Sequence, residues 1–468
     1  MPMDINERLE LIKQVGKEIV TEEELVELLK RKDHFIAYDG FEPSGFDIHI
    51  AQGLMRAINV NKMIKAGATF KMLVADWHAW ANNKMGGDLE KIQKVGHYFI
   101  EVWKACGMDL KNVEFVWASD LLNNRDYWKT VLQIARKSTL KRIIRTGQIM
   151  GRSESEVMQA SQIIYPCMQV ADIFHLKADV TQLGMDQRKC NILARELGPE
   201  MGFWKPVIVS HHMLMGLGQP EQAKDQTIML DIGQEEMVLD NFIIELSSVD
   251  NPRSRRKKIG GVDFDIALKL IQGVVYEDET IAIVAIKDKT GNFLEEIPVC
   301  EGKSTTTKTG IAIKCLSIDR TNVDSMKLLM SAGKLQLTAS VKMSKSKPDT
   351  AIFMTDSEED IRRKMKKAWC PEGRIEENPV LEYFRYIIFE KVDNVIIERP
   401  EKFGGNIELK NYQELEEKFK GKQIHPMDVK ETAAKYIEQM IKPIREKILN
   451  DSKLSKLREE IGTFEVTR

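Results

Sequence analysis

Short apolar runs alternate with helix-like stretches through the N-terminal part of the chain, and this alternation constrains the fold more than any other feature. A helix is predicted over residues 22–31, with Thr21 as its cap and Glu24 completing a capping box. Phe35-Ile36-Ala37-Tyr38 reads as a strand ending at Gly40, and Glu42-Pro43-Ser44-Gly45 as a turn before a helix-like stretch over 49–67. A second strand is expected over 70–75, a helix over 88–106, and a third strand over 113–117. Strands alternating with helices predict an α/β domain whose parallel sheet is covered on both faces. Ligands of such sheets bind beyond the carboxyl ends of the strands.

At 468 residues the chain exceeds one ordinary domain. Between about 221 and 338 the texture changes to an α+β insertion, with a helix expected over 236–247, strands over 280–287 and 310–315, and a hairpin turn over 287–292. The basic run Arg253 to Lys258 reads as a solvated loop. Residues 339–360 return to the first domain, and 361–468 read as mainly α-helical. A net charge of −2 argues against wholesale nucleic-acid binding, so any RNA contact must come from local patches. None of the six cysteines has metal-type spacing, which fits reduced thiols and predicts no protein-bound metal. With no export signal and no membrane-length run, a cytoplasmic location without membrane contact is expected.

Four segments carry chemistry. Lys342-Met343-Ser344-Lys345-Ser346 is a cationic loop suited to a strongly anionic group such as a triphosphate. The strand, glycine turn and helix start over 38–53 offer backbone N–H groups to phosphate, and His49 opens the helical part. In the apolar stretch 163–176, Tyr165, Gln169 and Asp172 fall at i, i+4 and i+7, one polar stripe about 10 Å long. Buried polar groups need partners, so the stripe is either a structural network or the seat of a small polar ligand. Gly184-Met185-Asp186-Gln187-Arg188-Lys189 follows a short strand over 178–181, which puts Asp186 and Gln187 where ribose and substrate recognition sit.

The His-led helix start followed by Lys-Met-Ser-Lys-Ser resembles a class I aminoacyl-tRNA synthetase. Tyr-Pro-Cys-Met-Gln-Val-Ala-Asp at 165–172 and Gly-Met-Asp-Gln-Arg-Lys at 184–189 are similar to the archaeal and eukaryotic tyrosyl-tRNA synthetases. So are Arg399-Pro400-Glu401-Lys402-Phe403-Gly404-Gly405 and His425-Pro426-Met427-Asp428-Val429-Lys430. The resemblance implies a Rossmann-like catalytic domain over 1–220 and 339–360, a helical anticodon-binding domain over 361–468, and ligation of tyrosine to tRNA. It implies that Tyr38 and Asp172 meet the phenol of L-tyrosine, and that Tyr165, Gln169 and Gln187 meet its amino group. Ser44, Gly45 and His49 would bind the phosphates of ATP, with Asp186 at the ribose. Lys342 and Lys345 would stabilise charge on departing pyrophosphate, with Mg²⁺ assisting. For tRNA(Tyr), Phe403 and His425 would sandwich the first anticodon base, Asp428 would hydrogen-bond it, and Arg145 and Arg188 would lie near the acceptor end. A homodimer is implied as well, and DNA is not.

Three departures stand out. Ala51 and Gln52 replace the glycine and histidine of the histidine-led signature, Phe46-Asp47-Ile48 lengthens the loop before it, and 221–338 matches nothing in the family core. The tryptophanyl synthetases share fold and signatures, but indole offers no hydroxyl to a Tyr38/Asp172 pair. A catalytically idle RNA-binding relative would carry a damaged lysine loop or amino-acid pocket, and both are intact here.

Overall fold

Runs rich in β-branched and aromatic residues set the frame of the molecule. The computed structural model describes residues 3–147, 159–219 and 348–464 and, between 227 and 314, strands alone. Gly16–Val20 (β1), Phe35–Phe41 (β2), Ala68–Val74 (β3), Val113–Trp117 (β4), Val180–Thr181 (β5) and Val207–His211 (β6) form one sheet in the order β1-β6-β5-β2-β3-β4. β6 through β4 are parallel, as expected. The chain places β3 and β4 on one side of β2 and then returns to lay β5 on the other. A crevice opens where the connections diverge, outside the carboxyl ends of β2 and β5. β1 was not anticipated: it pairs antiparallel with β6 and closes that edge, a common finish to an otherwise parallel sheet.

The expected helices over 22–31 and 88–106 are Glu22–Arg31 and Leu89–Ala105. Thr21 Oγ1 caps the first by accepting from Glu24 N at 3.2 Å. Glu24 does not complete a capping box, because its carboxylate turns to Arg195 and Lys205, at 2.5 and 2.6 Å. The stretch after His49 is not one uniform helix: a π-turn, Ala51–Met55, precedes the α-helix Arg56–Lys65. Such widened turns are common at functional sites.

The chain leaves this unit beside the point where it returns. Leu217 N donates to Thr350 O, and Trp369 N to Leu217 O, each at 2.8 Å. The intervening excursion is therefore closed at its base, which is how a long insertion is tolerated inside a folded sheet domain. Just past its return, the chain pairs with the histidine-led segment: Ile50 N donates to Ile352 O at 2.8 Å and Met354 N to Ile48 O at 2.9 Å. Gly53 permits that approach, since a Cβ there would lie 2.6 Å from Met354 Sδ.

Met1–Gln219 and Lys342–Arg468 form one compact unit and Pro220–Val341 a second. In the C-terminal part of the first, Pro426–Asn450 buries Val429, Ala433, Ile437, Ile441, Ile444 and Ile448 along one face. The helices Glu358–Lys367 and Ser452–Gly462 pack on it, and Val395–Ile397 pairs with Ile407–Leu409 as a short hairpin. The described part of the second unit is antiparallel β rather than α+β. Arg256–Ile259, Val262–Tyr276, Glu279–Lys287 and Phe293–Cys300 form one sheet, and five shorter strands form another. The strands expected near 280–287 and 310–315 are present. The helix expected over 236–247 is instead Glu235–Asp240 and Ile243–Leu246. Short apolar runs such as Met237-Val238-Leu239 fit either structure, and pairing to neighbours decides. The expected turn at 288–292 and the basic loop up to Arg255 lie outside the described residues.

Candidate active site

A cavity of about 380 Å³ occupies the crevice at the ends of β2 and β5. Its walls bring together Tyr38, Ser44, His49, Tyr165, Gln169, Asp172, Asp186 and Gln187, residues spread over 150 positions of sequence. Gly45 sits at φ 81 in the turn beside Ser44, a conformation that favours glycine. Lys342 and Lys345 lie outside the described residues; further along the chain, 352–354 pair with the segment carrying His49.

The polar stripe lies on the helix Ala160–His175, as the spacing predicts, and all three residues are buried. Asp172 is its centre. Tyr127 donates its hydroxyl to Asp172 Oδ1 at 2.8 Å, and His78 Nε2 lies 2.9 Å from Oδ2. That second contact is an ion pair without hydrogen-bond alignment, so Oδ2 and both ring nitrogens of His78 keep unspent capacity. Burial alone would lower the pKa of His78, but the Asp172 carboxylate outweighs it and the net shift is upward. The carboxylate thus favours the charged form of the imidazole beside it.

Tyr38 points along β2 beneath Gly40, where a Cβ would lie 3.3 Å from the phenol oxygen. Burial, reinforced by Asp172, drives the Tyr38 hydroxyl well above its ordinary pKa, so it stays a proton donor. Burial, reinforced by the Glu42 carboxylate, likewise raises the pKa of the Tyr165 hydroxyl, and its ring stands edge-on to His78 at 5.2 Å. Gln169 Nε2 donates to Gln187 Oε1 at 3.0 Å, joining two residues predicted to share a ligand. Gly184 leaves room for Asp186, whose Oδ1 would lie 2.5 Å from a Cβ there. His49 Nδ1 accepts from Gln52 N at 3.3 Å, so the residue that departs from the signature holds the histidine through its backbone.

Sequence reasoning missed His78, Tyr127, Glu42 and the buried pair Asp39/Arg56. His78 follows β3 as β2 is followed by its own glycine turn, and that strand-end position was the available signal. Tyr127 comes from the helix Arg125–Lys137, whose apolar face reads as ordinary core.

Away from the cavity, Phe403 is 62% exposed, which excludes a core role. Its loop is tied to the segment before His425 by Arg399, which donates to Gly405 O at 3.1 Å and Gln423 O at 2.8 Å. His425 caps the helix Pro426–Asn450, and Asp428 stands in its first turn. Arg188 is held by Glu18 of β1 at 2.7 Å, and Arg145 lies on the helix Leu140–Thr146.

A family model described as tRNA synthetases class I (W and Y) matches residues 30–234 and 321–442. The cytoplasmic tyrosine–tRNA ligase 1 of Arabidopsis thaliana is 36% identical over 471 residues, covering 100% of this chain and 91% of that one. The tyrosine–tRNA ligase of Thermococcus kodakarensis is 33% identical over 460 residues, covering 95% of each. Among solved structures, tyrosyl-tRNA synthetase from Pyrococcus horikoshii, complexed with L-tyrosine, superposes with a TM-score of 0.70 at 30% identity, covering 98% of this chain and 100% of that one. The parallel sheet, the cavity at its switch point and these likenesses agree: the chain belongs to the class I tRNA synthetases, within them to the tyrosine–tRNA ligases of archaeal and eukaryotic type, and its function is to join tyrosine to tRNA.

Proposed function

We propose that tyrosine enters with its phenol between Tyr38 and Asp172, donating to the Oδ2 that lacks an aligned partner. That unspent, fully buried carboxylate oxygen is the observation that carries the reading. Phenylalanine would leave Tyr38 and Asp172 unmatched, which is costly in a buried site. Tyr165, Gln169 and Gln187 take the amino group, with the Glu42 carboxylate adding negative charge beside Tyr165. ATP enters with Mg²⁺ on its phosphates, along Ser44, Gly45 and His49, with Asp186 at the ribose. Mg²⁺ keeps waters and phosphate oxygens as most of its ligands, so its place would be on the nucleotide.

The tyrosine carboxylate attacks the α-phosphate, pyrophosphate leaves, and Lys342 and Lys345 meet the charge that builds on it. No side chain acts as nucleophile, so catalysis is positioning plus electrostatic stabilisation. A hydroxyl of the 3′-terminal ribose of tRNA(Tyr) then attacks the tyrosyl carbonyl, forming the ester as AMP leaves. Arg145 and Arg188 serve the acceptor end; Glu18 must release Arg188 for that role. Region 361–468 reads the anticodon, with the first base stacked between Phe403 and His425 and hydrogen-bonded by Asp428. The enzyme works as a cytoplasmic homodimer.

The two-part reading has a two-part test. Stacking on an aromatic side chain contributes about 1–3 kcal/mol per base. Phe403→Ala should therefore lower kcat/KM for tRNA charging by roughly 5- to 150-fold and leave tyrosine-dependent pyrophosphate exchange unchanged. Equal losses in both steps would refute the anticodon assignment.

A further inference from the structure

The cavity holds a second buried polar centre, to which none of the roles above applies. Arg56 begins the α-helix that follows the His49 segment, and Asp39 lies on β2 beside Tyr38. Arg56 Nε is 3.1 Å from Asp39 Oδ2, with the side chains 12% and 1% exposed. The guanidinium also lies 5.5 Å over the Trp103 ring, whose Nε1 donates to Gln52 O at 2.6 Å. Asp39 Oδ1 accepts from Gly40 N at 2.8 Å, which fixes the carboxylate. Both partners are thus firmly placed.

They are also under-used. Arg56 Nη1 is buried without a hydrogen-bond partner, and Asp39 Oδ2 has no aligned donor despite the short ion-pair distance. Arg56 Nη2 reaches Gly40 O only at 3.4 Å. A guanidinium carries five N–H donors in a planar fork, and burying one with donors idle is costly unless a ligand takes them up. The surroundings indicate which ligand. Asp186, His211 and the Tyr38 hydroxyl are ionisable groups coupled to this pair, and all three line the same cavity. His211 is held neutral near neutral pH: burial and then the Arg56 cation push its pKa down to about 4, and Gln182 meets its Nδ1 at 2.7 Å. The unspent cation therefore shares one cavity with Ser44 and His49, assigned to phosphate, and with Asp186, assigned to the ribose.

We propose that Arg56 is a nucleotide-binding residue, its guanidinium held by Asp39 and Trp103 to take a phosphate oxygen of ATP. The assignment rests on the ATP reading above and adds to it a contact outside the two signature loops. A planar fork suits a phosphate better than the point charge of a lysine would. Asp39 is a positioning residue, acting only through Arg56. Burial raises the Asp39 carboxyl to about 6, against the lowering effect of Arg56. It is therefore ionised at pH 7.5 and neutral at pH 5, where Arg56 loses its counter-ion and its fixed pose.

The test compares wild type with Arg56→Met, Arg56→Lys and Asp39→Asn. It reads KM for ATP and for tyrosine in pyrophosphate exchange, and the Kd for ATP by calorimetry without turnover. Losing one charge-assisted contact predicts a rise of about 10- to 100-fold in KM and Kd for ATP in Arg56→Met. KM for tyrosine should stay within about twofold, and Arg56→Lys should fall between wild type and Arg56→Met. In wild type, KM for ATP should worsen as pH falls through about 6, and Asp39→Asn should remove that inflection. An unchanged Kd for ATP in folded Arg56→Met or Arg56→Lys would overturn the proposal and leave a purely structural ion pair. So would equal increases in both KM values. Wild-type protein that shows no tyrosine-dependent exchange would instead refute the underlying reading, and the calorimetric Kd still decides the role of Arg56.

Discussion

Asp172→Ala is expected to lower tyrosine-dependent pyrophosphate exchange by a factor of roughly 10²–10⁴. The estimate follows from removing one partner of a buried charged cluster, which costs about 3–5 kcal/mol, at about 1.4 kcal/mol per tenfold. Three groups lose their partner at once: the phenol of the substrate, the Tyr127 hydroxyl and the His78 imidazole. Part of the cost falls on the free protein, because Tyr127 and His78 stay buried. Asp172→Asn separates the two effects, since an amide keeps the shape and a hydrogen-bonding oxygen while losing the charge. It should fold like wild type by circular dichroism and still lose most activation. Exchange at wild-type rate in either variant would remove Asp172 from the site. The loss should appear mainly in KM for tyrosine, because the phenol is held in the ground state and in the transition state alike.

The second large effect concerns the lysine loop. Lys345→Ala is expected to lower the rate of adenylate formation about 10²–10³-fold, the range for removing one preorganised group aimed at developing charge. KM for tyrosine should hardly move, since the lysine serves the departing pyrophosphate. Lys342→Ala should act in the same direction. Single-turnover formation of tyrosyl-adenylate is the readout, because it isolates the chemical step from tRNA transfer. The described residues that follow the loop are firmly held. Residues 352–354 pair with 48–50, so its return stem is anchored to the segment that carries His49. The stem is held further by Lys364, buried with its ammonium 2.6 Å from Asp356 Oδ2 and 2.9 Å from Ala351 O. A loss confined to KM for tyrosine, with the chemical rate intact, would contradict the assignment.

The parts of this site legible in the sequence were those with a local period. Tyr165, Gln169 and Asp172 recur at helical spacing on an otherwise apolar segment, so one helix face could be read directly. Gly40, Gly45 and Gly184 mark strand-end turns, which located the ends of β2 and β5 without knowledge of the sheet order. The missing residues have no such period. His78 and Tyr127 reach Asp172 from two other elements, and only tertiary packing brings them together. Arg56 and Asp39 likewise sit on separate elements, and each reads alone as a surface charge. β1 escaped notice because Gly16-Lys17-Glu18-Ile19-Val20 lacks alternation and becomes a strand by pairing with β6. Glu24 fits a capping-box pattern, yet two cations from distant segments draw it away. In the inserted unit, apolar runs of three to five residues carried no decisive period, and pairing made them strands.

The central claim is that the cavity selects a phenol-bearing amino acid and activates it with ATP. The most direct measurement is exchange of labelled pyrophosphate into ATP by the wild-type protein, with tyrosine, phenylalanine and tryptophan supplied separately. Exchange driven by tyrosine, with phenylalanine weaker by orders of magnitude and tryptophan silent, is the predicted result. Exchange driven by tryptophan, equal exchange with phenylalanine, or no exchange by well-folded protein would contradict it.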